Sequence, residues 1–129
     1  MSESSRRSRV ITLPWPPTTN SYWRSPSAGV VLVSERGRAY RKTVGWTLLE
    51  QGTPRTPLTG RLAVSIEAKP PDRRVRDLDN LLKSLLDSLA HAQVYIDDSQ
   101  IDRLTVWRGE VVERGEVIVT VQELARVPA

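Results

Sequence analysis

The second half of the chain carries aspartates and a lysine at spacings that suit phosphodiester chemistry. Asp77 and Asp79 are separated by one residue, Lys83 lies four residues after Asp79, and Asp97-Asp98 form a later acidic pair. Carboxylate oxygens are the hard ligands that Mg²⁺ prefers. An ion held by about three converging carboxylates polarises a phosphate and lowers the pKa of its bound water. Asp77, Asp79 and one residue of the later pair therefore indicate metal-dependent phosphodiester cleavage.

The residues before Asp77 indicate that the phosphate belongs to a polymer. Arg73, Arg74 and Arg76 form a basic run that would attract a polyanion to the carboxylates. Lys and Arg number 19 against 15 Asp and Glu, a formal net charge of +4. The remaining excess is also clustered, in residues 6–9 and 36–42. Clustered cations are typical of nucleic-acid binders, although a solvated basic surface would look the same.

Each of these residues also has a purely structural interpretation. Asp77 or Asp79 could cap the helix that follows, although a helix start needs one capping side chain. Lys83 could form an ordinary ion pair with Asp79 across one helical turn, and Asp87 is expected to be a further partner of Lys83 and not a metal ligand. If Asp79 binds a metal, the Lys83 ammonium could instead contact the scissile phosphate. Asp97 and Asp98 could simply belong to a turn.

Several other classes of chemistry have no support in the sequence. There is no cysteine, and His91 is the single histidine, expected to serve the end of a helix, so a zinc site is not expected. No glycine loop of the Walker type occurs, so no nucleotide cofactor is expected. We expect no signal peptide or membrane span, and a cytoplasmic location. Trp15, Tyr22 and Trp23 could stack on exposed bases or fill the core.

The pattern of apolar residues predicts one α+β domain over residues 9–129, after a flexible Ser/Arg-rich N-terminus at residues 1–8. Strands are predicted at 9–13, 30–33 and 61–69, and a helix capped by Ser34 at 35–51. Leucines at helical spacing predict a second helix over 78–89. Residues 103–112 and 116–121 predict a hairpin. The expected architecture is a mixed, mainly antiparallel β-sheet covered by two α-helices.

The chain resembles the RusA-type Holliday junction resolvases, small endonucleases of bacteria and their prophages. The resemblance covers nearly the whole chain. It is carried by LPWPPTTNSYWR at residues 13–24, PDRRVRDLDNLLKSLLDSL at 71–89, YIDDSQI at 95–101 and the closing predicted hairpin. The extra Ser/Arg-rich N-terminus and Val75, within an otherwise basic run, depart from the family pattern. These departures leave the affinity for DNA and the preferred nucleotides at the cut open.

The resemblance implies a Mg²⁺-dependent homodimer that nicks two strands of a four-way junction symmetrically, in DNA recombination and repair. It places the metal-binding aspartates at Asp77, Asp79 and Asp98 and the functional lysine at Lys83. Arg76 and Asn20 match positions that we assign to DNA contact, together with the arginines at 73 and 74. A structure-selective nuclease for forks or flaps, or a non-catalytic protein that binds branched DNA, are the alternatives.

Overall fold

The computed structural model describes residues 7–125, which form one mixed four-stranded sheet, a small two-stranded sheet and three helices. In chain order the elements are β1 (Ser8–Pro14), α1 (Thr19–Tyr22), β2 (Trp23–Ser27), β3 (Val30–Val33), α2 (Glu35–Glu50), β4 (Leu62–Lys69), α3 (Leu82–His91), β5 (Ile101–Arg108) and β6 (Glu116–Glu123). Short 3₁₀ turns occupy Leu78–Leu81 and Asp98–Gln100. The predicted α+β class is confirmed.

The four-stranded sheet has the order β1-β6-β4-β5. β6 pairs antiparallel with both β1 and β4, whereas β5 pairs parallel with β4. The predicted hairpin of residues 103–112 and 116–121 is therefore wrong, because β4 lies between β5 and β6. The connection crosses the end of β4, where Gly109 and Val112 donate backbone hydrogen bonds to the carbonyls of Ala68 and Pro70. β6 and β4 therefore take the two central positions of the sheet, and both strands bury alternate residues.

One face of the sheet packs against α2 and α3 and forms the core. The alternation predicted for β4 is confirmed, since Leu62, Val64, Ile66 and Ala68 are at most 1% exposed. Neighbouring strands and both helices add the remaining apolar side chains, among them Ile11, Leu13, Val117, Val119, Val121, Tyr40, Val44, Leu48, Leu85, Leu86 and Leu89. By contrast, β5 is an edge strand, and its Leu104 is 41% exposed.

The start of α2 packs tightly on α1. Ser34 caps α2 as predicted, accepting a hydrogen bond from the Gly37 backbone N–H at 3.0 Å. A Cβ atom at Gly37 would lie 2.5 Å from the Tyr22 carbonyl oxygen and 2.7 Å from Val33 Cγ1. Glycine at this position therefore lets α2 approach the segment that carries Tyr22.

The leucine-rich segment begins differently from the prediction. Residues 78–81 form a 3₁₀ turn, and the α-helix starts at Leu82 instead of at residue 78. The apolar stripe itself is confirmed, with Leu81, Leu85, Leu86 and Leu89 buried. Neither the turn nor α3 has a side-chain cap, so no capping interaction fixes an α-helical start at residue 78.

Residues 1–6 of the predicted N-terminal tail lie outside the described residues. Arg7 forms an ion pair with Glu123 at 3.1 Å, and Ser8 is the first residue of β1. Across residues 7–125, no helix has the length and apolar character needed to cross a membrane.

Candidate active site

A cleft of about 590 Å³ brings together residues from four distant parts of the chain. Thr18 caps α1, which follows the proline-rich segment 14–17 and presents Asn20 to solvent. Lys83 lies in the first turn of α3, and Asp98 opens the second 3₁₀ turn. The cleft is lined by Thr19, Asn20, Trp23, Arg24, Ser25, Val31, Lys83, Asp87 and Asp98. Three residues predicted from sequence, Asn20, Lys83 and Asp98, therefore share one cavity.

Adjacent aspartates at the second 3₁₀ turn have different environments. Asp97 caps the turn and accepts a hydrogen bond from the Ser99 backbone N–H at 2.9 Å, while Gln100 accepts one from the Asp97 N–H. The hydrogen bonds from Ser99 hold the pKa of Asp97 below its usual value. The Asp98 side chain is exposed and has no hydrogen-bond or ion-pair partner within residues 7–125. Asp97 thus holds the turn, and Asp98 is available to the cleft.

The first pair of aspartates is exposed but does not line the cleft. Asp77 stands at the N-cap position of the first 3₁₀ turn, but its carboxylate makes no capping hydrogen bond, which contradicts the capping alternative. Asp79 lies in the same turn. Neither side chain has a hydrogen-bond or ion-pair partner in the described part of the chain. Thr19, which lines the cleft, donates a hydrogen bond at 3.1 Å to the carbonyl of Asn80 and so ties this turn to α1.

The donor set of Asp77, Asp79 and Asp98 fits a hard divalent cation. All three are exposed carboxylates, and no ion pair within the described residues competes for them. In their present positions, no three His, Cys, Asp or Glu side chains of residues 7–125 are grouped closely enough to hold a metal. Binding of one ion by all three carboxylates would therefore require this site to rearrange.

Lys83 does not form either of the ion pairs considered from sequence. Asp87 instead accepts a hydrogen bond from the Arg41 guanidinium at 2.7 Å and another from the Tyr22 hydroxyl. The expected Lys83–Asp87 pair is therefore wrong, because Asp87 forms its ion pair with Arg41 of α2. Burial and the bond to Asp87 raise the pKa of the Tyr22 hydroxyl, which stays protonated and donates. The Lys83 ammonium remains exposed at the cleft without a partner in the described residues.

The basic loop before Asp77 is cross-linked by Asp72. Its carboxylate binds the Arg76 guanidinium at 2.6 Å and the Arg74 backbone N–H at 2.9 Å. These two contacts, led by Arg76, hold the pKa of Asp72 far below its usual value. Arg108 adds a hydrogen bond to the Arg76 carbonyl at 3.0 Å. Arg73 is exposed and the Arg74 side chain is 82% exposed, whereas the Arg76 side chain is 24% exposed and braces the loop.

The aromatic residues divide between the core and the site. Tyr22 is fully buried, and Trp15 packs on the core. Trp23 lines the cleft and packs edge-on against Tyr22, with ring centroids 4.9 Å apart. Arg24 also lines the cleft and was missed as a site residue, although it closes the motif at residues 13–24.

Comparison with known proteins identifies the family of the chain. The family model described as Endodeoxyribonuclease RusA matches residues 14–122. The chain is 41% identical over 117 residues to the crossover junction endodeoxyribonuclease of Enterobacteria phage HK97, covering 91% of this chain and 96% of the relative. It is 38% identical over 114 residues to that of Escherichia coli K12, covering 88% and 93%. The chain therefore belongs to the RusA family of endodeoxyribonucleases.

Proposed function

We propose that the chain is a Mg²⁺-dependent endodeoxyribonuclease that resolves four-way DNA junctions by paired symmetric nicks. The relatives are named crossover junction endodeoxyribonucleases and match this chain over most of their length. The observation that carries the proposal is that Lys83 and Asp98 share one cleft, bordered by the turn that presents Asp77 and Asp79. All four side chains are exposed, and none is paired within residues 7–125.

Asp77, Asp79 and Asp98 are the proposed metal ligands. Mg²⁺ bound there would polarise the phosphate. It would also lower the pKa of a bound water, which could then lose a proton near neutral pH. Lys83, which lines the cleft, is proposed to contact the scissile phosphate, where its charge would stabilise the negative charge that grows in the transition state. Loss of one such preorganised group typically costs about 10²–10³ in rate.

The residues around the cleft have separate proposed roles in DNA binding. Arg73 and Arg74 contribute exposed positive charge next to Asp77 and would contact phosphates without reading sequence. Arg76 keeps the loop in shape through Asp72 and the hydrogen bond from Arg108 to its own carbonyl. Asn20, at the cleft, is placed to donate to DNA from its side-chain amide.

The active species is proposed to be a homodimer acting in the cytoplasm. A four-way junction with two-fold symmetry offers two equivalent phosphates, and two copies of the chain related by a two-fold axis offer two equivalent sites. Within residues 7–125, one cleft of each chain holds Asn20, Lys83 and Asp98. Paired nicks therefore follow from dimer symmetry without a second active site in the chain.

The test is cleavage of a labelled synthetic four-way junction with Mg²⁺ or EDTA, by the wild-type protein and by Asp79→Asn. We expect paired symmetric nicks that require both Mg²⁺ and Asp79. Asp79→Asn should bind the junction at least as tightly as the wild type, because a negative charge is removed near the phosphate. Forks, flaps and linear duplex are assayed in parallel. Cleavage of forks or flaps as fast as that of the junction would identify a broader structure-selective nuclease. Tight junction binding without nicks would instead indicate a non-catalytic DNA-binding protein.

A further inference from the structure

The most exposed large apolar side chain among residues 7–125 lies within the basic loop. Val75 is 99% exposed, and the next highest values, for Val10, Val31 and Ile96, are 64%. Val75 stands between Arg74 and Arg76, two residues before Asp77. A fully projecting apolar group therefore adjoins the proposed metal ligands.

The loop that carries Val75 is cross-linked on both sides of this residue. Asp72 binds the Arg74 N–H and the Arg76 guanidinium, on either side of Val75, and Arg108 binds the Arg76 carbonyl. These contacts fix the backbone before and after the exposed side chain. Little ordering cost remains when Val75 meets a ligand, because the loop is already organised.

The chemistry of valine limits what it can recognise on DNA. An isopropyl group offers nothing to a phosphate, whereas Arg73 and Arg74 beside it attract the backbone. The apolar surfaces of DNA are the faces of the bases and the thymine methyl group. Apolar side chains also insert between base steps, at the cost of partly unstacking them. A branch point that is held open leaves its flanking bases without a stacking neighbour on one side, so their faces can be contacted without that full cost.

We propose that Val75 is a specificity-determining residue that contacts an unstacked base at the branch point, next to the phosphate that is cut. The contact rests on the proposed junction cleavage. Arg73 and Arg74 bring the backbone to the loop, and Val75 then favours junctions whose branch-point base offers an apolar face. The residue thereby sets which nucleotides flank the cut and has little effect on overall affinity.

The test uses a set of four-way junctions that differ only in the nucleotides at the branch, cut by the wild type, Val75→Ala, Val75→Asn and Val75→Arg. We expect all variants to cleave. In Val75→Ala and Val75→Asn, the ratio of cleavage rates between the best and the worst junction should fall about tenfold or more. Val10→Ala is the matched control, since Val10 is an exposed valine on β1. Thermal melts should be unchanged, because Val75 makes no buried contact.

A second readout separates this inference from the proposed function. Junctions with 2-aminopurine at the branch report stacking by fluorescence, with or without cleavage. We expect the wild type to change this fluorescence, and Val75→Ala to lose most of the change at equal occupancy. Wild-type discrimination and fluorescence in every Val75 variant would overturn the inference. A Val75-dependent signal in a wild-type protein that never cuts would overturn only the proposed function.

Discussion

Asp97 and Asp98 show how neighbouring residues of one type acquire different roles. Asp97 is hydrogen-bonded within its own turn and has a lowered pKa, whereas Asp98 projects to the cleft without a partner in the described residues. The Asp97 carboxylate is occupied by the hydrogen bond that caps its own turn. Backbone geometry, and not residue type, therefore selects Asp98 as the candidate ligand.

Asp72 supplies a prediction about pH. Its folded-state pKa is depressed, mainly by Arg76, so its contribution to loop stability is present above its usual value of 3.8 and is lost as pH falls through the lower folded value. We expect carboxyl NMR titration to show Asp72 with a pKa below 3.8, and Arg76→Gln to raise it towards 3.8. Arg73→Gln is the matched control and should leave the titration largely unchanged. A wild-type Asp72 with a pKa near 3.8 would contradict the proposed stabilisation of the loop by the Asp72–Arg76 contact.

At the level of the helices, α1 packs closely on α2 because Gly37 of α2 leaves room for it. We expect Gly37→Ala to destabilise the fold by about 1–3 kcal/mol, because its Cβ would meet the Tyr22 carbonyl oxygen and Val33. Gly45→Ala is the matched control in the same helix, with nothing within 4 Å of the added Cβ. Its expected effect is a gain of up to about 1 kcal/mol from helix propensity.

Urea unfolding of the two variants measures these changes. A Gly37→Ala variant that is as stable as the wild type, or more stable, would contradict the role of Gly37 in this packing. Because Tyr22 also binds Asp87, displacement of α1 should in addition lower junction cleavage by Gly37→Ala more than by Gly45→Ala.

Local patterns predicted elements better than pairings. The alternation in β4, the Ser34 cap of α2 and the leucine stripe of α3 each depend on neighbouring residues, and the structure confirms them. The pairing of β5 and β6 depends on which strand takes the centre of the sheet, which is a non-local choice. The same division holds at the site. Lys83 and the acidic pair could be named from spacing, and the family resemblance singled out Asp98 within that pair. The Arg41–Asp87 pair joins two helices and could not be predicted.

At the scale of the whole molecule, the distribution of charge and the proposed symmetry matter most. We expect multi-angle light scattering to give about twice the chain mass of 14.5 kDa, since paired nicks require two clefts. Junction affinity should also fall steeply with salt, because Arg73 and Arg74 would displace counterions from DNA. A protein that is monomeric at assay concentrations and still makes paired nicks in one binding event would contradict the dimer.

The most direct measurement compares Asp98→Asn with Asp97→Asn in Mg²⁺-dependent cleavage of a four-way junction. Asparagine caps a turn about as well as aspartate, so Asp97→Asn should keep its fold and most of its activity. Asp98→Asn removes a proposed ligand and should lose at least about 10²-fold in rate while still binding the junction. We therefore expect a large difference in cleavage rate between these two adjacent variants. Full activity in Asp98→Asn, or equal loss in both variants, would contradict the assignment of the active site.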